Sequence, residues 1–195
     1  MSNRIAAIVL AAGKSTRMGD DNKLLLKFND KAMVSHVIDQ LKMSNIADII
    51  VVTGNEYAEV RKAISQKVEF THNPDFKKGL STSVKAGISA LHSVCDGVMV
   101  CLGDMPYISQ SVYDEILSAF LEGHIIVPKS HGKIGNPILF SKEFFDDFQT
   151  LEGDKGARGL LKKYSEKVIK VEVGTDSILE DIDTPESYQD ILSKI

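Results

Sequence analysis

Short, nearly unbroken apolar runs alternate with amphipathic stretches along this chain. Ile5–Leu10 is an apolar run ended by small residues, the pattern of a strand covered on both faces. Ile49–Val52, Val98–Leu102 and Ile125–Val127 read the same way. Between them, Met33–Met43, Glu56–Ile64, Thr82–Leu91 and Val112–Leu121 carry apolar residues three and four apart, which predicts helices. Asn55 and Ser109 are expected to cap two of these. Lys129–Phe140 breaks the rhythm, with Gly132, Gly135 and Pro137 predicting a loop and an irregular or antiparallel strand. Ser141–Phe148 and Lys155–Tyr164 predict short helices, Val168–Val173 a late strand, and Thr184–Pro185 the capped start of a final helix. The whole predicts a three-layer α/β sandwich, a mostly parallel sheet with helices on both faces. Ligands of such sheets bind beyond the carboxyl ends of the strands, so the loops after Leu10, Val52 and Leu102 are where chemistry is expected.

Composition narrows the reading without redirecting it. At 195 residues one domain is expected, and a chain of this size buries about 70% of its unfolded surface without a disulfide or metal staple. With 23 basic against 27 acidic residues, the charge of −4 argues against nucleic acid or an anionic membrane as partner. No apolar stretch is long enough to span a bilayer, and no secretory signal is recognisable, so a cytoplasmic location is expected. Cys95 and Cys101 form no CxxC pair and are expected to be small core residues. The five histidines lack metal-ligand spacing; His131 alone falls on the expected acceptor side.

The loop after the first strand reads Leu10-Ala11-Ala12-Gly13-Lys14-Ser15-Thr16-Arg17-Met18-Gly19 and continues to Lys23. Its small residues let backbone approach a ligand, and successive N–H groups can cradle an anion. Lys14, Arg17 and Lys23 add three cations. A Walker A loop is excluded because Ile8 stands where its first glycine is needed, and GxGxxG is absent. An ordinary βα turn with solvated lysines is the plain alternative. Gly103-Asp104 follows another buried strand, where a carboxylate can hold Mg²⁺ or cap the next helix. In Asp181-Ile182-Asp183-Thr184-Pro185, Thr184 and Pro185 serve the helix start and leave Asp183 free to reach a metal. Asp181 is expected to point the other way if this stretch is extended. Gly79-Leu80-Ser81-Thr82-Ser83 makes a hydroxyl-rich entry to a helix, suited either to a base edge or to capping. Arg158, in Gly153–Arg158, can grip a second phosphate bidentately, and Gly135-Asn136-Pro137 is expected to shape an acceptor pocket.

Taken in order, LAAGKSTRMG, NPDFKKGLSTSV, LGDMP, GNPILF, GDKGAR and DIDTPE resemble the molybdenum cofactor cytidylyltransferase family across residues 5–186. GDKGAR most separates this group from the sugar and isoprenoid nucleotidyltransferases. The chain departs from the family pattern at Asn136, where histidine is usual, and at Ala32 and Ser187. The resemblance implies a nucleotide-diphospho-sugar transferase fold, with a nucleotide part over about 1–107 and an acceptor part over about 108–195. It implies transfer of CMP from CTP to molybdopterin, with Mg²⁺ on Asp104 and Asp183. Arg17 and Lys23 would act with Asp104 in catalysis, stabilising phosphate charge. Leu10, Ala11, Ala12, Gly13 and Gly103 would hold the nucleotide with Lys23, and Gly79, Ser81 and Ser83 would line the base site. Ala12, where guanylyltransferase relatives carry glycine, favours CTP over GTP. Asn136 and Arg158 would meet the acceptor, and a target molybdoenzyme is a further implied partner. Two rivals stand beside this reading: a nucleotidyltransferase for a sugar or polyol phosphate, and a non-catalytic carrier of finished cofactor.

Overall fold

A computed structural model of the chain describes residues 3–15, 18, 22–28, 30–91 and 94–192. β1 (Ile5–Ala11) is buried at every position. A small antiparallel hairpin of β2 (Lys27–Phe28) and β3 (Lys31–Ala32) leads into α1 (Met33–Met43). Then come β4 (Asp48–Thr53), α2 (Tyr57–Ala63), β5 (Glu69–His72), α3 (Leu80–Ser89), β6 (Gly97–Leu102) and α4 (Gln110–Ser118). The rest holds β7 (Ile125–Ser130), β8 (Lys133–Ile134), β9 (Ile138–Ser141), α5 (Gly159–Lys163), β10 (Val168–Glu172) and α6 (Pro185–Leu192).

The sheet runs β10-β7-β9-β6-β1-β4-β5, with β8 hairpinned onto β7. β1 pairs in parallel with β4 on one side and β6 on the other. β9 is antiparallel to both its neighbours, as the broken rhythm over Lys129–Phe140 predicts. Along β1, Ile5, Ala7, Val9 and Ala11 enter the core beneath α1 and α4, while Ile8 and Leu10 enter the core beneath α3. Two covered faces are what make the strand sequence read as one apolar run. The chain leaves β1 toward β4 and later returns to the opposite side as β6, so the loops after these two strands diverge. That divergence is the switch point at which open α/β sheets form their crevice.

Local rules fail at several element ends. α2 is preceded by Glu56 in the left-handed region (φ 48°) rather than capped by Asn55, whose N–H instead donates to the Ala12 carbonyl at 3.2 Å. Ser109 occupies the cap position of α4, but its hydroxyl pairs with that of Ser111. The helix expected over Ser141–Phe148 is two 3₁₀ turns, Lys142–Phe144 and Asp146–Thr150. The one expected over Lys155–Tyr164 is a 3₁₀ segment, Gly153–Arg158, followed by α5. Left-handed Gly153 (φ 63°) and Gly156 (φ 52°) break its helical path. α6 starts as predicted: Thr184 Oγ1 accepts the Ser187 N–H at 3.2 Å and Ser187 Oγ accepts the Thr184 N–H at 3.1 Å. Ser187 thus does with a hydroxyl what an acid does in a capping box. Cys101 is core as expected, whereas Cys95 is only half-buried.

Candidate active site

The loop after β1 turns at Ser15, whose backbone is left-handed (φ 53°) and whose carbonyl accepts the Met18 N–H at 2.8 Å. Its hydroxyl accepts the Lys23 N–H at 3.1 Å, fixing where the lysine stem begins. Lys23 opens a 3₁₀ turn capped by Asn22 Oδ1 on the Leu24 N–H at 3.1 Å. Arg17 lies outside the described residues.

From this anchor the Lys23 ammonium reaches Asp104 Oδ2 at 2.5 Å, just past β6, and also contacts Asp183 Oδ1. Burial alone would lower the Lys23 pKa, but the Asp104 and Asp183 carboxylates outweigh it and hold the ammonium above the usual lysine range. Asp181 joins the same cluster, and oxygens of the three carboxylates lie within 4.8 Å of one another. The expectation that Asp181 faces away is therefore wrong. Residues two apart in extended chain share a face, and it is Ile182 between them that turns into a core with Phe28 and Met33. The Ile182 N–H donates to the Asp104 carbonyl at 3.2 Å, tying the two acidic segments together. Desolvation in the cleft, reinforced by Asp183 and Asp104, raises the Asp181 carboxyl above its usual range. Three carboxylates with an opening toward solvent are a donor set that suits a hard divalent cation, which takes oxygen ligands and keeps room for water or phosphate oxygens.

These groups line a cleft of about 470 Å³ at the switch point. Of the residues expected to hold a nucleotide, Leu10, Ala12, Gly13, Lys23, Gly79 and Ser83 line it. Ala11, Ser81 and Gly103 do not. Ala11 is 1% exposed within the core under α1, and Ser81 is 2% exposed. Gly103 contributes backbone, its N–H donating to the Leu10 carbonyl at 3.1 Å and so drawing the two loops together. Ser83 is held by buried Asn73, whose amide donates to Ser83 Oγ at 3.0 Å and Thr82 Oγ1 at 2.9 Å while its oxygen accepts the Asp75 N–H at 2.9 Å. Phe76, Lys77, Leu80 and Asp154 also line the cleft and escaped the sequence reading. Phe76 was readable only as part of a motif, and Asp154 comes from the far half of the chain.

A second cleft of about 510 Å³ adjoins the first and shares Leu10, Leu80, Leu102, Asp154 and Asp181 with it. Asn136 and Arg158, the residues expected to meet an acceptor, line it with Lys133 and Lys155. His131 does not; it is exposed and lies 3.8 Å from Asp176. The common wall is a tight joint. Gly79 (φ 110°) sits so close to Gly153 that a Cβ there would lie 2.6 Å from its carbonyl carbon. A Cβ on Gly156 would lie 2.7 Å from Leu80, and Asp154 Oδ1 accepts the Leu80 N–H at 3.3 Å. The GDKGAR stretch is thereby locked onto the first turn of α3.

Such a crevice, with a lysine-lined small-residue loop, a cluster of acids and a second cleft sharing its wall, is suited to nucleotidyl transfer between two phosphate-bearing substrates. The comparisons agree: the model of the MobA-like NTP transferase domain matches residues 7–168, and the chain belongs to that family. It is 33% identical over 190 residues to the molybdenum cofactor cytidylyltransferase of Escherichia coli (strain K12), covering 94% of this chain and 93% of that one. It is 31% identical over 194 residues to the purine catabolism protein PucB of Bacillus subtilis (strain 168), covering 94% of each. The crystal structure of a Mycobacterium tuberculosis Rv0371c homologue from Mycobacterium sp. strain JC1 superposes with a TM-score of 0.90 at 27% identity, covering 100% of this chain and 98% of that one. Among the described residues, no helix is long and apolar enough to cross a membrane.

Proposed function

We propose that the chain is a CTP:molybdopterin cytidylyltransferase, moving CMP from CTP to the terminal phosphate of molybdenum-loaded molybdopterin. An oxygen of the acceptor phosphate forms the new bond to the α-phosphorus, and the bond from that phosphorus to the bridging oxygen breaks to release pyrophosphate. The observation that carries this reading is the pair of clefts meeting at Asp181 and Asp154, one rimmed by Lys14, Lys23 and Lys77 and the other by Lys133, Lys155 and Arg158. Two polyanions have to meet, so positioning and charge neutralisation supply the rate rather than a covalent intermediate. Gly13 and Ser15 would bring backbone to the phosphates, and Arg17 and Lys23 would balance charge on the transferring and leaving groups. Asp104 and Asp183, joined by Asp181, would hold Mg²⁺, which when bound supplies positive charge to donor and acceptor phosphates. Gly79 and Ser83 would lie along the base, and Asn136 and Arg158 would receive the acceptor. A cytoplasmic enzyme handing its product to a molybdoenzyme completes the proposal.

Pyrophosphate release with Mg²⁺ and molybdenum-loaded molybdopterin, with CTP and GTP run in parallel, tests it. CTP-dependent release is the expected result. Preference for GTP would keep the chemistry and overturn the base assignment. CTP binding without release would overturn the acceptor and point to a sugar or polyol phosphate, or to a carrier if the protein holds finished cofactor without turnover.

A further inference from the structure

We propose that Lys23 is the resident counter-ion of the Asp104–Asp181–Asp183 cluster and has to leave before a divalent cation enters. Such a cation then binds tightly only together with a nucleotide whose phosphates take over the displaced ammonium. The inference rests on the metal-dependent transfer proposed above and adds an order of events to it.

The Lys23 ammonium lies 2.5 Å from Asp104 Oδ2 and also contacts Asp183 Oδ1, and the donor oxygens of the three acids lie within 4.8 Å of one another. A magnesium ion sits about 2.0–2.1 Å from its oxygen ligands. Ion and ammonium would therefore claim the same oxygens in the same space. Solvent screens the Lys23–Asp104 contact weakly, since those side chains are only 13% and 15% exposed, while Asp183 is 28% exposed and Asp181 faces solvent.

What can yield is the lysine stem alone. Its backbone is pinned by the N–H bond to Ser15 Oγ, and Leu24 beside it is 4% exposed in the core. A four-carbon stem with rotatable donors can change partners about such a pivot, which a rigid guanidinium does less readily. The new partners lie within the same cleft, because Gly13, Lys14 and Ser15 line it with Lys23. A cation arriving alone must evict a bound ammonium into solvent; one arriving with a triphosphate gives it a replacement. By linkage the coupling is reciprocal, so nucleotide and cation each raise the other's affinity.

Mn²⁺ binding, read by the loss of free Mn²⁺ signal in electron paramagnetic resonance, tests the idea without turnover. In the unaltered chain a non-reacting CTP analogue should strengthen Mn²⁺ binding by about tenfold or more. Lys23→Met, which keeps the stem and removes the charge, should bind Mn²⁺ alone about tenfold or more tighter than the unaltered chain and lose most of the gain from the analogue. Unchanged or weaker Mn²⁺ binding by folded Lys23→Met overturns the proposal. A second measurement needs no variant: reductive methylation of the Lys23 amine, followed by peptide mass spectrometry, should be slow without cations and accelerate when Mn²⁺ saturates the unaltered chain. An unchanged labelling rate also overturns it. If Lys23→Met and the unaltered chain bind Mn²⁺ equally while Asp183→Asn does not bind, the metal site stands and the counter-ion role falls. If none of the three binds Mn²⁺ even with the analogue, both readings fall.

Discussion

The two clefts share a wall and are built on opposite plans. The first cleft hangs on parallel strands buried on both faces, and its polar groups are tied by hydrogen bonds: the Lys23 N–H to Ser15 Oγ, the Asn73 amide to Ser83 Oγ and the Ile182 N–H to the Asp104 carbonyl. The second cleft hangs on an antiparallel insertion and on 3₁₀ turns, and its cations Lys133, Lys155 and Arg158 are exposed. Arg158 has a 3.4 Å contact to the Ile134 carbonyl, against 2.5 Å from the Lys23 ammonium to Asp104. Rigid support suits the step that every substrate shares, while exposed side chains on irregular backbone can be exchanged without disturbing the sheet. On the proposed function, the difference places the reaction class in the first cleft and the choice of acceptor in the second.

Asp104→Ala gives the sharpest break. It should lower pyrophosphate release by about 10²–10³ or more with any acceptor, while circular dichroism stays native. An active, folded variant would remove Asp104 from the chemistry. Arg158→Ala should raise the acceptor KM by about tenfold to a hundredfold, the worth of a lost charge-assisted hydrogen bond, and leave the KM for CTP unchanged. A parallel rise in both would show that the clefts are not separable. Ala12→Gly should shift the CTP/GTP ratio of kcat/KM toward GTP. Ala12 lines the cleft, so trimming its methyl alters the wall a base would meet on the proposed function. An unchanged ratio would move base choice toward Ser83.

The shared wall is open to a stability test. Gly79→Ala forces a side chain into a left-handed backbone against Gly153 and should cost about 1–3 kcal/mol. A chain of this size loses about 2–4 °C of Tm per kcal/mol, and calorimetry would register the change. The smallest effect is expected at Asp147, away from both clefts' linings. The Asp147 carboxylate accepts hydrogen bonds from Lys163 at 2.5 Å and Tyr164 at 2.7 Å, which hold its pKa below the usual range. A depressed acid stabilises the fold above its unfolded pKa and loses that contribution as pH falls through its folded pKa. The Tm deficit of Asp147→Asn should therefore be present at neutral pH and shrink as the medium is acidified below the ordinary carboxylate range. A deficit independent of pH would assign the loss to geometry rather than charge.

How much of this was legible follows from the same contrast. β1, β4, β6 and α1 declare themselves because burial on both faces, or on one stripe, imposes a period on the sequence. β5 does not, since Glu69–His72 is an edge strand with exposed ends and no apolar run. The stretches 142–150 and 153–163 have helical spacing but fold as 3₁₀ turns and one short helix, with Gly153 and Gly156 supplying the breaks. In the site, Asp104 is readable because it follows a buried strand, Asp183 because it precedes a clear helix start, and Lys23 as part of the loop motif after β1. Asp181 was lost to a misjudged face. Leu80 and Asp154 are invisible to any local rule, because they become neighbours only when residues 74 positions apart pack together.

The path of the chain also sets when the charge cluster can exist. Lys23 and Asp183 are separated by 160 positions, and Asp181 and Asp183 follow the last strand of the sheet. During synthesis, then, every β-strand is already outside or entering the ribosomal tunnel before two of the three acids have been made. Until they arrive, Lys23 has only Asp104 of the three acids beside it, so the three-acid cluster closes only after the last strand of the sheet has been made.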